Sequence, residues 1–383
     1  MVEATINKWI ARAREVAVET LARHADDVDR TGRWPAESIK ALGQAGLLGL
    51  TVDCSHGGAG EGPQVFAAAT RLLAEQCAST AMIYLMHCCA TQMIAASSAL
   101  PSRDTLLADI AAGRHLSTLA FSEKGSRSHF WAPVSQAVAT GDIYRLTAHK
   151  SWVTSAGHAD SYIVSTRASG SIEPFASTIF YLPRGTPGIC IGPQWNGLGL
   201  RGNDSSPIDL VDVPSSSANF VSEEGEGFAA MLTTVLPWFQ LGSAAVAVGI
   251  ARAATLGTRQ HLLTTSLEHT GQALAALPNL RARLARMQVL VDTHQAFLER
   301  VAASMASPEQ DTMLMVLESK AAATEMALEV TDLAMRTCGG AAFSRHLAVE
   351  RNFRDARAGS VMAPTTDILY DFIGKTILGL PLF

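Results

Sequence analysis

Arg336-Thr-Cys-Gly-Gly-Ala-Ala-Phe343, Val349-Glu-Arg-Asn-Phe-Arg-Asp-Ala-Arg357 and Val361-Met-Ala-Pro-Thr-Thr366 form the stretch whose reading decides the fold. A double glycine, five arginines and a Pro-Thr-Thr turn lie between two helical patterns, a mixture suited to a site and poor for a core. Glycine lacks the Cβ that keeps a ligand off the backbone, so Gly339 and Gly340 suit close approach. Arg351, Arg354 and Arg357 recur at helical spacing and can form a salt-bridge face with Glu350 and Asp355.

Working outward, the residues after 227 read as helices over about 227–266, 278–306, 309–338 and 363–377, with Leu267–Pro278 as a polar break. Four long amphipathic segments with short breaks predict a four-helix bundle. Upstream, Thr118–Phe121, Tyr144–His149, Ser161–Thr166, Ser177–Leu182, Gly188–Ile191 and Ile208–Val213 are short, β-branched and bounded by turn residues. They predict a small antiparallel barrel or sandwich.

The N-terminal part is helical: residues 3–26 with apolar positions from Ile6 to Ala25, a second helix opened by Pro35 and closed at Gly46, then 63–76, 79–98 and 101–112. Thr51-Val-Asp-Cys-Ser-His-Gly-Gly-Ala-Gly-Glu-Gly-Pro63 follows no evident strand and reads as a connector, not a dinucleotide fingerprint. The expected division is an α-helical domain over 1–115, a β-barrel domain over 116–222 and a helical bundle over 223–383.

Bulk properties narrow the function. The chain has 383 residues, net charge −5 and no basic block, which argues against nucleic acid or an anionic membrane surface as partner. The longest apolar run noted, Leu241–Ile250, is too short for a membrane span, and the N-terminus lacks the pattern of a secretion signal, so a cytoplasmic protein is expected. The six cysteines have no metal-ligand spacing and are expected as free thiols, with no metal site.

Four further segments, in order, carry a family resemblance. Leu119-Ala-Phe-Ser-Glu-Lys-Gly-Ser-Arg-Ser128 is similar to Thr-Glu-Pro-Gly-Ala-Gly-Ser-Asp of the acyl-CoA dehydrogenases. His149-Lys-Ser-Trp-Val-Thr-Ser-Ala-Gly-His-Ala-Asp160 resembles their Gly-x-Lys-x-Trp-Ile-Thr-Asn segment. Leu198-Gly-Leu-Arg-Gly-Asn203 resembles Gly-x-Arg-Gly-Ser, and Trp34-Pro to Gly60 looks like the family's N-terminal helices. The resemblance covers nearly the whole chain.

It implies an α+β fold of helical domain, β-barrel and four-helix bundle, with FAD as cofactor and an acyl thioester of CoA or an acyl carrier protein as substrate. By carry-over, Ser122 and Thr154 would bond the isoalloxazine and Trp152 would wall it, with Arg336, Gly339, Gly340 and Thr365 toward the rest of the flavin. Ser128 and Arg201 would meet substrate. A homotetramer, as a dimer of dimers, is implied too, and the apolar tail Ile377–Phe383 fits either that assembly or packing on its own bundle.

The chain departs from the family at the chemistry. The position of the catalytic glutamate is Ala363, and the other place where members carry a base is Phe239, beside Gln240. A positioned base contributes about 10²–10⁴ in rate. His129, in the loop expected to face the flavin, is the candidate to replace it, while His87, Asp367 and Asp371 read as core or helix-start residues. Arg-x-x-Phe-Gly, which in the family reaches a neighbour's dinucleotide, falls at Leu267-Glu-His-Thr-Gly271, and this leaves FMN open as the flavin. Three rivals follow: a two-component monooxygenase fed by a flavin reductase, a base-less subunit of a heteromeric dehydrogenase, or an elimination without net oxidation hinted by Gln240. Dehydrogenation itself would call for an electron-transfer flavoprotein.

Overall fold

The computed structural model describes residues 7–173 and 175–383. The expected helix start at residue 3, with Ile6, lies outside them. Helix α1 (Lys8–Val16) is capped by Asn7, whose side chain accepts from the Trp9 N–H at 2.8 Å. A π turn at Ala17–Leu21 joins it to α2 (Ala22–Thr31). Ala13, Ala17, Leu21, Ala25 and Val28 follow one another at intervals of three or four and are buried, so the helical period alone selects the inward face. The α3 (Ala36–Gln44), α4 (Pro63–Gln76), α5 (Ala78–Ala96) and α6 (Arg103–Ala111) helices complete this layer. His87, on α5, is a core residue: it is fully buried, Nδ1 accepts from the Ser117 N–H at 3.2 Å, and Nε2 therefore carries the proton it donates to the Leu48 carbonyl at 3.0 Å. Burial lowers its pKa to about 4, which keeps the ring neutral.

Strands β1 (Ser117–Ala120), β2 (Gln136–Thr140), β3 (Ile143–Val153), β4 (Ser161–Arg167), β5 (Ser177–Pro183), β6 (Ile189–Ile191) and β7 (Ser206–Ser216) form one seven-stranded sheet. The expectation of a purely antiparallel sheet needs correction: β1 pairs with β4 in parallel, and β2 touches β4 in parallel through Gln136 and Arg167. β2, which the sequence reading passed over, is Gln-Ala-Val-Ala-Thr, with little of the bulk that marks a strand. Along β3 alternate residues are buried, and this places Tyr144, Leu146, Ala148 and also Lys150 inside.

The second helical layer opens with α7 (Gly227–Ala230), a π turn at Met231–Val235 and α8 (Leu236–Thr264). No charged residue occurs from Gly227 to Ala251, so the apolar run is far longer than Leu241–Ile250. The 38-residue helical span has the length and hydropathy of a membrane helix, but 78% of its most apolar window is buried inside the protein. Gly242 and Gly249 allow that burial: a Cβ would lie 2.2 Å from Leu85 Cδ1 at the first and 2.5 Å from the Arg71 carbonyl at the second.

A short hairpin, β8 (Ser266–Leu267) and β9 (Gln272–Ala273), fills the polar break before α9 (Pro278–Ala306) and α10 (Thr312–Cys338). Beyond the one-turn α11 (Gly340–Phe343), α12 (Val349–Val361) is a helix additional to the four expected, and α13 (Thr366–Leu378) follows. The tail turns back on its own chain. The Phe383 ring lies 5.3 Å from Trp131, 5.4 Å from Phe372 and 5.1 Å from Phe228, while Ile377, Leu378 and Leu380 stay exposed.

Candidate active site

A cavity of about 770 Å³ opens where the sheet, α5, α8 and the 358–368 segment meet. Its inner wall is apolar, made by Met82, Met86, Leu119, Phe121, Val235 and Phe239. Its polar wall carries Ser122, Ser128, Thr154, Asn203, Ser205 and Thr365.

Two buried cations hold the two halves of this wall. Lys150 donates to Glu123 at 2.6 Å and to the Ser165 carbonyl at 2.5 Å, both side chains being essentially inaccessible. Glu123 also accepts from the backbone N–H groups of Val134 and Ser135 and from the Ser135 hydroxyl, so it anchors both ends of the 122–135 loop. Burial opposes its ionisation, but the Lys150 charge and these hydrogen bonds outweigh that and hold the carboxyl below its ordinary range. On α10, Lys320 donates to the carbonyls of Met362 at 2.8 Å and Pro364 at 2.5 Å, so it grips the residues on either side of Ala363. Desolvation lowers its pKa to about 7. The two halves meet where Ser128 Oγ accepts from the Thr365 N–H at 2.9 Å.

The third edge is the 195–205 segment. Leu200 N–H donates to Asp355 at 2.7 Å, Gly202 N–H to Ser79 at 3.1 Å, and Trp195 Nε1 to the Leu200 carbonyl at 3.1 Å. Gly199 lies against α12 so closely that a Cβ would sit 2.5 Å from the Arg354 carbonyl. Burial pushes the Asp355 carboxyl up to about 6 in spite of the Leu200 N–H. Over the interval from about pH 4, where an unfolded aspartate ionises, to pH 6 the native state keeps a proton the unfolded chain gives up, so stability falls as pH rises through it. We expect Asp355→Asn, which titrates nowhere in this range, to gain on the wild type by roughly 2 kcal/mol between pH 4 and 7. Denaturant titrations at both ends of that interval check it; parallel curves would contradict it.

The residues singled out by sequence divide into two groups. Ser122, Ser128, His129, Trp152, Thr154, Ala363 and Thr365 all line the cavity. Trp152 is 65% exposed at φ 59°, edge-on to Trp195 with ring centres 5.6 Å apart, so it is no buried strand residue. Arg201 is turned away from the cavity, its Nε donating to the Asp29 carbonyl at 2.7 Å. Arg336 lies on the surface, 3.6 Å from Asp332, and a Cβ at Gly339 or Gly340 would meet nothing within 4 Å in this chain. The arginine face is also different from expectation. Arg354 bridges Glu350 on its own helix and Asp29 on α2, Arg351 pairs with Asp26, Arg357 lies over the Phe353 ring at 4.0 Å, and Asp355 serves the 200 loop.

Asp367 is exposed in the first turn of α13, as the sequence reading has it, and it also lines the cavity. Asp371 does stay outside, 3.1 Å from Lys375. Gln240 is fully buried with neither amide atom bonded and is not a lining residue. The residues supporting or lining the cavity that the sequence reading did not single out are Lys320, the Glu123–Lys150 pair and Trp195. A lysine on the buried face of α10, between Val316 and Thr324, was a legible signal, since unpaired charge is rarely buried without purpose. No group of three His, Cys, Asp or Glu side chains suited to a metal occurs among the described residues.

Comparison with known proteins bears on this geometry. Residues 5–114 match the acyl-CoA dehydrogenase N-terminal domain, 118–213 the middle domain and 225–378 the C-terminal domain. The chain is 27% identical over 372 residues to a probable acyl-CoA dehydrogenase, YngJ, of Bacillus subtilis, covering 95% of this chain and 96% of that one. Butyryl-CoA dehydrogenase from Megasphaera elsdenii superposes with a TM-score of 0.91 at 23% identity, over 97% of each chain. PigA, solved with FAD and proline, superposes with a TM-score of 0.90 at 21% identity, over 99% of this chain and 100% of that one.

Proposed function

Since the chain belongs to the acyl-CoA dehydrogenase family of flavin oxidoreductases acting on CH–CH donors, we propose that it is an FAD-dependent oxidoreductase of an acyl thioester, with His129 in place of the missing glutamate. The thioester is carried by CoA or an acyl carrier protein. The observation that carries this reading is that Ser122, Trp152 and Thr154 of the β region line one cavity together with Phe239, Ala363 and Thr365 of the helical layer.

The lining suits a flavin. A ring system with donors and acceptors along one edge needs hydroxyls and amides there, and Thr154, Ser205 and Asn203 supply them; Asn203 Oδ1 is buried without a protein partner. Trp152 would cover a ring face and exclude water, and Ser122 and Thr365 would meet the remainder of the cofactor. Bound FAD supplies the acceptor for a hydride.

What the chain's own residues do follows from their placement. Met82, Met86, Val235 and Phe239 receive an acyl chain. Ala363, held on both sides by Lys320, offers a backbone N–H to a thioester oxygen and no carboxylate. His129 lines the same cavity, edge-on to Trp131 at 5.3 Å, and on this reading its imidazole takes the α-proton. We expect His129→Ala to lower the rate of flavin reduction about 10²–10⁴-fold with little change in thioester affinity. Stopped-flow reduction against thioester concentration separates the two.

One observation favours a second reading. Neither 363 nor 239 carries a base, and the ionisable lining residues are Arg127, His129 and Asp367. A monooxygenase using reduced flavin and O₂ needs no α-proton base, and a base-less subunit completing a partner's site needs none either. The deciding experiment is the absorption spectrum of the purified protein, with the released flavin identified, before and after anaerobic addition of acyl-CoAs. Tightly bound FAD that bleaches supports dehydrogenation through an electron-transfer flavoprotein. Colourless protein that takes up reduced FAD or FMN and consumes O₂ supports the monooxygenase. Homotetramers are typical of the family, and we extend that assembly to this chain.

A further inference from the structure

Arg127 shares a left-handed backbone with Trp152 and Leu200 of the same lining, and it is the charged one of the three. It lies at φ 49°, in the left-handed region that is unfavourable for a residue with a Cβ, and its side chain is exposed. Its two neighbours are fixed: Ser126 is buried, with its hydroxyl donating to the Glu123 carbonyl at 3.2 Å, and Ser128 is bonded to Thr365. The loop's base is locked by Glu123 and Lys150. A long cationic side chain is therefore held out over the cavity from a rigid, strained backbone. No ion pair or hydrogen bond of its guanidinium occurs among the described residues. Asp367, the acid of the same lining, belongs to the segment on the other side of the Ser128–Thr365 contact and lies beyond ion-pair distance.

Strain retained around an unpaired guanidinium points to a ligand that is absent when the residue is considered alone. The guanidinium fork matches paired oxygens of a carboxylate or a phosphate. Exposure bears on the choice: Arg127 is exposed, whereas Met82, Val235 and Phe239 of the apolar lining proposed to receive the acyl chain are buried. The anion must belong to the end of a ligand that stays near solvent.

We propose that Arg127 is a phosphate-recognition residue of this cavity. This rests on the reading of the site as a flavin and thioester pocket, and two phosphates are within that chemistry: the pyrophosphate of the dinucleotide and the phosphates of the thioester's CoA carrier.

Isothermal titration calorimetry on the full chain separates them. The probes are FAD against riboflavin, and, on FAD-loaded protein, CoA against pantetheine. The expected result is that Arg127→Gly weakens the phosphate-bearing member of one pair about tenfold or more and leaves its phosphate-free member unchanged, with Arg127→Lys in between. A loss in the FAD pair assigns the dinucleotide; a loss in the CoA pair assigns the carrier. Because glycine relieves the positive φ, this variant is expected to melt at or above the wild-type temperature, which removes misfolding as an explanation. Unchanged binding of FAD and CoA overturns the inference alone, as does a parallel loss of riboflavin or pantetheine. Wild-type protein that binds neither FAD nor CoA overturns the inference together with the reading of the site.

Discussion

In a His129→Ala background, replacing Ala363 by glutamate is expected to raise the rate of anaerobic flavin reduction by an acyl-CoA about 10²–10⁴-fold, the usual worth of a positioned base. Position 363 lines the cavity, and its backbone is held from both sides by the Lys320 ammonium at the Met362 and Pro364 carbonyls. Alanine there leaves the wall smooth, so a longer side chain has cavity in front of it. The carboxylate would stand near a buried cation that burial has brought to a pKa of about 7, and the two charges would steady each other. Stopped-flow spectra of the FAD-loaded double variant and of His129→Ala alone, with the same thioesters, measure the effect. A variant that binds flavin and thioester normally but gains no rate would mean that proton abstraction beside the thioester is not the reaction, and would favour the monooxygenase reading.

Lys150→Met is expected to cost about 3–5 kcal/mol of stability, because it leaves Glu123 charged and buried with no cation. The pair is 2.6 Å apart, with side-chain exposures of 0% and 1%. The loss should fall first on the 122–135 loop, whose backbone N–H groups at Val134 and Ser135 depend on the same carboxylate. Ser122, Ser128 and His129 are on that loop, so cavity and stability are linked through one ion pair. The sign with pH is set by Glu123: its folded pKa lies below the ordinary glutamate value of about 4.3, so its contribution is complete above that value and is lost as pH falls through the folded pKa. Urea unfolding of Lys150→Met, Glu123→Gln and the double variant at neutral pH measures the coupling. A double variant as unstable as the sum of the singles would show that the pair does not act as a unit.

How much of this was legible beforehand depends on the range of the interaction. The helical periods of Ala13 to Val28 and the alternation along β3 are local, and local spacing determines which face turns inward. The order of helical layer, sheet and helical layer, and the identity of the lining loops at Ser122, Trp152 and Ala363, were therefore readable from spacing and resemblance. For Arg201 and Arg336 the motif letters leave the side chain's direction open: Arg201 reaches the Asp29 carbonyl on α2, and Arg336 lies near Asp332 one turn before it on α10.

By itself the sequence determined the periodic faces and, through the resemblance, the expectation that Ala363 stands where a base is usual. The tertiary structure decided what meets across the chain: Lys320 with the Met362 and Pro364 carbonyls, Ser128 with Thr365, Asp29 with Arg354, and the parallel pairing of β1 with β4. The physical reason is that burial and charge pairing act through space between residues far apart in the chain. A lysine on the apolar side of a helix pattern signals a buried charge, but which carbonyls it satisfies is settled only when the fold brings Met362 and Pro364 to it.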